Sequence, residues 1–324
     1  MKVDMIIPTY KPDDTFCLLL HRLQEQTFVV HRLILLNTEE KLWEAAKEKY
    51  PIEEALGALG CECEIIHVKK EEFDHGGTRN LGAKSSDADV IVFMTQDAVP
   101  ADAHLIERLT ESFVADMQRE MSGAVAVAYA RQLPNEDCGP VECYTRQFNY
   151  PEDGRKKTKA DLNELGIKTY FCSDVCAAYR RDIFEALGRF ETPAIFNEDM
   201  FFAARAIEAG YAVEYVAKAR VIHSHNYTVG QQFRRNFDLA VSQADHPWIF
   251  AQVSAESEGM RLVKSTVRHL CAIGKPWLIW NLGWQCAGKY AGYFMGKRYR
   301  SLKRKQILKC TMSPDYWRRM WGES

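Results

Sequence analysis

Residues 90–100 read VIVFMTQDAVP, an apolar and largely β-branched run that stops abruptly at Thr95, Gln96 and Asp97. That is the pattern of a buried parallel strand delivering one carboxylate to the carboxyl edge of a sheet. Open α/β folds bind their ligands at this edge. A carboxylate there, with an amide just before it, suits a hard divalent cation that carries its own phosphates. The plainer alternative is a strand-to-helix turn capped by Asp97. A second acidic pair, Glu198 and Asp199, opens the segment NEDMFFAARAIEAGY, which reads as a helix with Asn197 as N-cap and Gly210 as terminator. Helix N-termini attract acidic side chains for electrostatic reasons alone. The same placement would keep Asp199 ionised at neutral pH on a rigid mounting, as a proton acceptor requires.

Three further groupings could join them. His223 and His225 close a strand, and at most one of the two rings is expected to reach a site. A strand-end histidine is more often a hydrogen-bonded core residue, but as neutral imidazole it could complete a metal shell with Asp97. In FDHGGTRN (73–80) the paired glycines, Gly76 and Gly77, let the backbone bend close to a ligand. The planar fork of Arg79 beside them suits a phosphate or a base carbonyl; the alternative is a turn that starts a helix. Pro8, Thr9 and Tyr10 follow the first apolar run, a usual place for a nucleotide base. The chain has neither a GxGxxG fingerprint nor a GxxxxGK[ST] loop, which removes most support for nicotinamide cofactors and ordinary ATP hydrolysis.

The scaffold for these residues is legible as alternation. Apolar runs at 3–9, 31–37, 63–68, 90–95 and 123–130 are separated by helical stretches near 13–26, 39–58, 77–86 and 102–120. In the last of these, Leu105, Leu109, Phe113 and Met117 recur every four residues and make one buried face. The fold class is therefore α/β, with a mostly parallel sheet covered on both sides. Residues 131–170 turn polar and broken and read as loops over the site. SDVCAAYRRDIF reads as a strand entering a helix, YAVEYVA and VIHSHN as two strands, and the chain is helical again from about 230.

At 324 residues, with 47% hydrophobic and 27% charged residues, the chain describes a soluble globular protein of one large domain, or one domain and an appendage. Its opening, MKVDMIIPTYKPDD, reads as a core strand and not a signal peptide. Ten cysteines without a CxxC pair argue against structural zinc or a disulfide framework, and for a reducing cytoplasm. The net charge of −2 conceals an asymmetry: residues 259–314 hold twelve Lys or Arg and no Asp or Glu. An anionic surface is the partner such a split suggests. Within 275–309, a helical stripe of Trp277, Trp280 or Asn281, Trp284, Gly288, Ala291 and Met295 is interrupted by Lys275, Asn281, Gln285 and Lys289. The segment is too polar to span a bilayer. With the cations from Lys297 to Lys305 it describes a helix at the headgroup boundary, or else a helix packed on the catalytic domain or in a dimer interface.

Taken in order, IIPTY, FDHGGTRNLGA, FMTQDAVP, RQLP, FNYP, IFNEDM and HSHNYT resemble the family 2 inverting glycosyltransferases of the GT-A fold, and more narrowly the bacterial rhamnosyltransferases of cell-surface polysaccharide synthesis. The likeness spans about residues 3–300, and HGGTRN and TQDA are far more specific than PTY. It implies a Rossmann-like nucleotide-binding sheet with a C-terminal helical, basic and aromatic extension, divided as 1–230 and 231–324. Pro8, Thr9 and Tyr10 would line the nucleoside, with Gly77, Arg79 and Asn80 near the base or diphosphate. Gln96 and Asp97 stand where the family has its DxD metal motif, and Asp97 matches the final aspartate. Asp199 matches the catalytic base, Glu198 falls on the acceptor side, and His223 or His225 stands where some members supply a metal-ligating histidine. Two departures are visible: Gln96 replaces the first acid of DxD, and Asn37-Thr38-Glu39 replaces the acidic pair common after the second strand, leaving Asn37 as an acceptor from the base. The resemblance further implies a Mn2+ or Mg2+ cofactor and a nucleotide-sugar donor, dTDP-rhamnose first, with a UDP-hexose or galactofuranose nucleotide as alternative. A lipid-linked glycan acceptor, peripheral residence on the inner face of the cell membrane and a homodimer complete the expected partners, with no nucleic acid. The competing class is a non-catalytic carbohydrate-binding or scaffold protein that keeps the fold.

Overall fold

The computed structural model describes residues 1–114, 123–250 and 256–323. Nine strands follow in chain order: β1 (Val3–Thr9), β2 (Arg32–Thr38), β3 (Glu62–Val68), β4 (Val90–Met94), β5 (Val99–Pro100), β6 (Val125–Leu133), β7 (Arg155–Lys157), β8 (Cys176–Arg180) and β9 (Ala212–Ile222). They form one sheet in the order β3-β2-β1-β4-β8-β6-β9-β5, with β7 also paired to β9. The half from β3 to β4 is parallel, as alternation predicts. Beyond β4 the sheet is mixed: β8 runs antiparallel to both β4 and β6, while β6 and β9 run parallel.

The helices pack as their periodicity dictates. In Asp14–Gln24 the buried residues are Phe16, Leu19, Leu20 and Leu23, one stripe facing the sheet, and Asp13 caps the first turn from its side chain. Leu105, Leu109 and Phe113 are likewise buried in Leu105–Val114; Met117 lies outside the described residues. Beneath the site, Phe93, Tyr179, Phe184, Phe190 and Phe202 form an aromatic cluster, with ring centroids from 4.9 Å (Phe184–Phe190) to 6.0 Å (Phe190–Phe202). Edge-on pairs of this kind add to plain area burial.

Three sequence expectations change. Residues 131–170 are not all loop: they contain the end of β6, the Pro140–Asn149 helix and β7. Pro140 opens that helix, where its missing N–H is no loss. The two strands expected after Gly210 are one eleven-residue strand, β9, whose pairing with β6 slips between Ala130 and Arg131. Because β9 ends at Ile222, both histidines lie beyond it; residues two apart on a strand would in any case share a face, so alternation is no ground for separating their rings.

The chain divides into two compact units that do not follow sequence order. One comprises Met1–Leu133, Tyr150–Pro193 and Glu198–His223; the other comprises Pro134–Asn149, Ala194–Asn197 and Ser224–Ser324. In the second, the Val229–Asp245 helix lies along Leu278–Lys297. A Cβ at Gly292 would collide with the Phe233 carbonyl, one at Gly296 with that of Phe237, and one at Gly288 with Val229. Ile195, Phe237, Val241, Ile307, Cys310 and Trp317 make this unit's apolar core. The Pro140–Asn149 helix joins it through Tyr144, whose ring stacks on His269 at 4.2 Å and whose hydroxyl bonds Ser265. No described helix is long and apolar enough to cross a membrane.

Candidate active site

The carboxyl ends of β1, β2 and β3 place Thr9, Asn37 and His67 in one row across the sheet. Thr9 Oγ1 donates to Asn37 Oδ1 at 3.4 Å, and Asn37 Nδ2 lies 3.0 Å from His67 Nδ1. Asn37 is fully buried whereas His67 is exposed, so His67 is the ring this row presents at the surface. Sequence reading named Asn37 and missed His67, which lies inside the apolar run 63–68 with no motif around it to mark it.

Gln96 explains its own departure from an acidic pattern. Its Oε1 accepts from Tyr10 N at 2.8 Å and its Nε2 donates to Tyr10 O at 2.9 Å. Only an amide can make this two-way bridge, which clamps the turn after β1 to the turn after β4. Pro8 and Thr9 end β1, and Tyr10 stands 40% exposed beyond it.

The HGGTRN block turns inward. Asp74 caps the His75–Ser85 helix by accepting from Gly77 N at 2.7 Å. A Cβ at Gly76 would strike the Glu191 carbonyl, so that close approach is to the protein's own backbone and not to a ligand. Asn80 bridges Phe190 in both directions, at 2.9 and 3.1 Å. Arg79, expected near a diphosphate, is buried: its Nε lies 3.3 Å from Asp174 Oδ2 and its Nη1 lies 3.1 Å from Glu198 Oε1. Glu198, expected on the acceptor side, is buried with it at 6% exposure. A guanidinium between two buried carboxylates is the low-energy outcome, since neither acid tolerates burial unpaired.

Asp199 is half-buried at the start of the Glu198–Glu208 helix. The expected cap, Asn197, has a φ of +66° and donates from its side chain to Ser242 Oγ at 2.6 Å. Asp199 Oδ2 accepts from Asp174 N at 3.1 Å and Oδ1 from Met200 N at 2.7 Å. Burial and the neighbouring Glu198 charge raise its pKa to about 6, against the pull of those amides and of Arg79. The shift is upward and still leaves the carboxylate mostly ionised at neutral pH. Asp174, which takes a 2.6 Å hydrogen bond from Tyr179, is pushed well above the carboxylate range by burial, with Arg79 opposing.

Asp97 faces His223, with Oδ2 and Nε2 3.6 Å apart. On the other side of the ring, Nδ1 lies 3.1 Å from Gln132 Oε1. Gln132 Nε2 donates to Tyr150 at 2.6 Å and to Ser173 Oγ at 2.9 Å, which fixes the amide's orientation. Nδ1 must then donate, and in the neutral ring the Nε2 lone pair points toward a carboxylate oxygen. A carboxylate and an imidazole are ligands that suit a divalent cation, and an amide that fixes the tautomer from the far side of the ring is what metal-bound histidines carry. These residues fit a metal. Asp4, His31 and Asp87 also bring ligand atoms within 4.8 Å of one another, but Arg32 at 3.4 Å from Asp4 and Lys2 at 3.3 Å from Asp87 already supply positive charge.

The two acids are mounted on connected supports. Thr95 N, two residues before Asp97, donates to Val175 O at 3.1 Å, and Asp174 next to it holds Asp199. A second route runs from Asp97 through His223 and Gln132 to Ser173. Gln132, Tyr150 and Ser173 were not singled out as site residues; RQLP and FNYP carried the first two as motifs without a role.

Residues 4–188 match the family model described as Glycosyl transferase family 2. The chain is 39% identical over 319 residues to the O-antigen chain rhamnosyltransferase RfbN of Salmonella typhimurium, covering 98% of this chain and 96% of that one. It is 42% identical over 255 residues to the O-antigen chain rhamnosyltransferase WbaN of Salmonella anatum, covering 78% of each. Among solved structures, a mannosyltransferase from Pyrobaculum calidifontis in complex with GDP-Man and Mn2+ matches with a TM-score of 0.51 at 14% identity, over 100% of this chain and 88% of that one. At that identity the likeness bears on the fold alone.

Proposed function

The chain belongs to glycosyl transferase family 2, an inverting sugar transferase using a nucleotide-sugar donor in cell-surface polysaccharide assembly, and from that premise we propose that it moves L-rhamnose from dTDP-rhamnose to a lipid-linked glycan. The two relatives of near 40% identity, both O-antigen chain rhamnosyltransferases, support the donor sugar. A lipid-linked acceptor would place the work at the inner face of the cell membrane.

Asp199 is proposed as the base. It takes the proton from an acceptor hydroxyl while that oxygen attacks the anomeric carbon, so one displacement inverts the configuration. The amides of Asp174 and Met200 fix its two oxygens, and a pKa near 6 makes it a stronger proton acceptor than an ordinary aspartate while still ionised. Arg79 holds Asp174 and Glu198 so that the base keeps its place. Asp97 and His223, with His225 two residues further on, are proposed to hold Mn2+ or Mg2+, which when bound would neutralise a departing diphosphate. Pro8, Thr9 and Tyr10, with His67 added above Asn37, are proposed to border the nucleoside; Asn37, buried and bonded to Thr9 and His67, supports them and is not an acceptor from the base.

The observation that carries this reading is the pair of hydrogen-bonded supports that seat Asp97 and Asp199 at one edge of the sheet. Its test is Asp199→Asn, assayed with dTDP-rhamnose beside a UDP-hexose. Turnover should drop by about 10² to 10⁴-fold, with donor affinity within about twofold of wild type by titration calorimetry. Wild-type turnover in the variant would remove the base; preference for the UDP-hexose would remove the donor.

A further inference from the structure

The Leu278–Lys297 helix is locked by one face, and that decides what its other face can do. Gly288, Gly292 and Gly296 recur every fourth residue and bring its backbone against Val229, Phe233 and Phe237. Met295 packs on the same side, against the unit's apolar core. The stripe expected from sequence, which put Gly288 and Met295 with the tryptophans, is therefore split. Helical geometry directs Trp280, Trp284, Tyr290 and Phe294 away from the seam, and they are exposed by 76%, 56%, 70% and 45%. Arg298 ends the row with its guanidinium carbon 3.7 Å from the Phe294 centroid.

We propose that this row seats the enzyme on an anionic lipid bilayer, in the plane of the headgroups. The proposal rests on the reading of a lipid-linked acceptor and names the surface that brings the enzyme to it. Soluble proteins seldom expose so many large rings together without a partner. Trp and Tyr favour the boundary between headgroup and acyl chain. Residues 259–314 carry twelve cations and no acid; Arg261, Arg300 and Arg304 pair with Glu258, Asp245 and Glu323 from outside the stretch, and the excess of the others complements anionic headgroups. A second copy docked through the same face would bring two predominantly cationic surfaces together. The helix is not apolar enough to cross the bilayer, so its place is the surface.

The test is flotation of the full-length protein with phosphatidylcholine vesicles, with and without phosphatidylglycerol, in the absence of donor and acceptor. Binding should require the anionic lipid and weaken about tenfold from low to high salt. The triple variant Trp280→Ser, Trp284→Ser, Tyr290→Ser and the double variant Lys297→Glu, Arg298→Glu should each lose about tenfold in bound fraction. Both should keep wild-type melting and wild-type turnover of a water-soluble acceptor analogue, a readout that belongs to catalysis and not to docking. Wild-type flotation by the triple variant would overturn the proposal. So would failure of the wild-type protein to float while sedimentation shows these variants turning a dimer into monomers, which would make the row an interface between copies.

Discussion

Asp199 holds its charge among neighbours of the same sign. Burial and Glu198 lift it to about 6, so turnover should climb with pH through that value and fall about tenfold per unit below it. Glu198→Gln removes a raising influence, and the acid limb of kcat against pH should move to lower pH; a limb that stays or moves upward would separate Glu198 from the base. Lys157 is a second buried charge. Its ammonium donates to the carbonyls of Lys168 and Phe171 and to the Tyr129 hydroxyl, at 3.1 Å to Lys168 and 3.2 Å to Tyr129, and burial lowers its pKa to about 7. Between that value and the ordinary 10.5 the unfolded chain binds the extra proton, so this group's contribution makes stability rise with pH across the window. Lys157→Met should flatten the rise of melting temperature from pH 7 toward 10, measured by calorimetry. Asp97 and Asp199 were legible because each punctuates an apolar element. Lys157 was not: within GRKKTK it reads as one of several solvated cations. Gln132 was not either, since its worth depends on three partners brought from three distant segments.

At the scale of elements, glycine marks where backbones must touch. Gly292→Ala should cost about 1–3 kcal/mol, because the added methyl has no room between two helix backbones. Denaturant unfolding would measure it, and a neutral result would mean that the two helices can part without penalty. The alternating strands and helices up to β4 were readable from periodicity, because parallel strands buried on both faces are continuous apolar runs. The Pro140–Asn149 helix was hidden: none of its residues is fully buried, so no apolar stripe announced it. The single long β9 was divided in reading because Lys218 and Arg220 break its apolar run, though β6 pairs on both sides of them.

At the scale of the whole chain, the second unit is assembled from three separated stretches. The sequence-derived division at 230 lies near the last of the crossings, at His223–Ser224, but composition gave no sign of the four earlier ones, which bound the excursions 134–149 and 194–197. Residues 1–230 expressed alone would carry the Pro140–Asn149 helix without the Glu256–Ala272 helix it packs on. That fragment should melt broadly and bind hydrophobic dye, whereas a sharp wild-type-like transition would show the first unit to be self-sufficient. The same arrangement orders events during synthesis. Residues 134–149 and 194–197 leave the ribosome well before the helices after 224 that receive them. Two short excursions must wait, unpaired, until residues 224–324 have been made. Residues 224–324 thus act as a late fastener, and a chain stopped before them would carry loose ends on both sides of β8 rather than be a shortened enzyme.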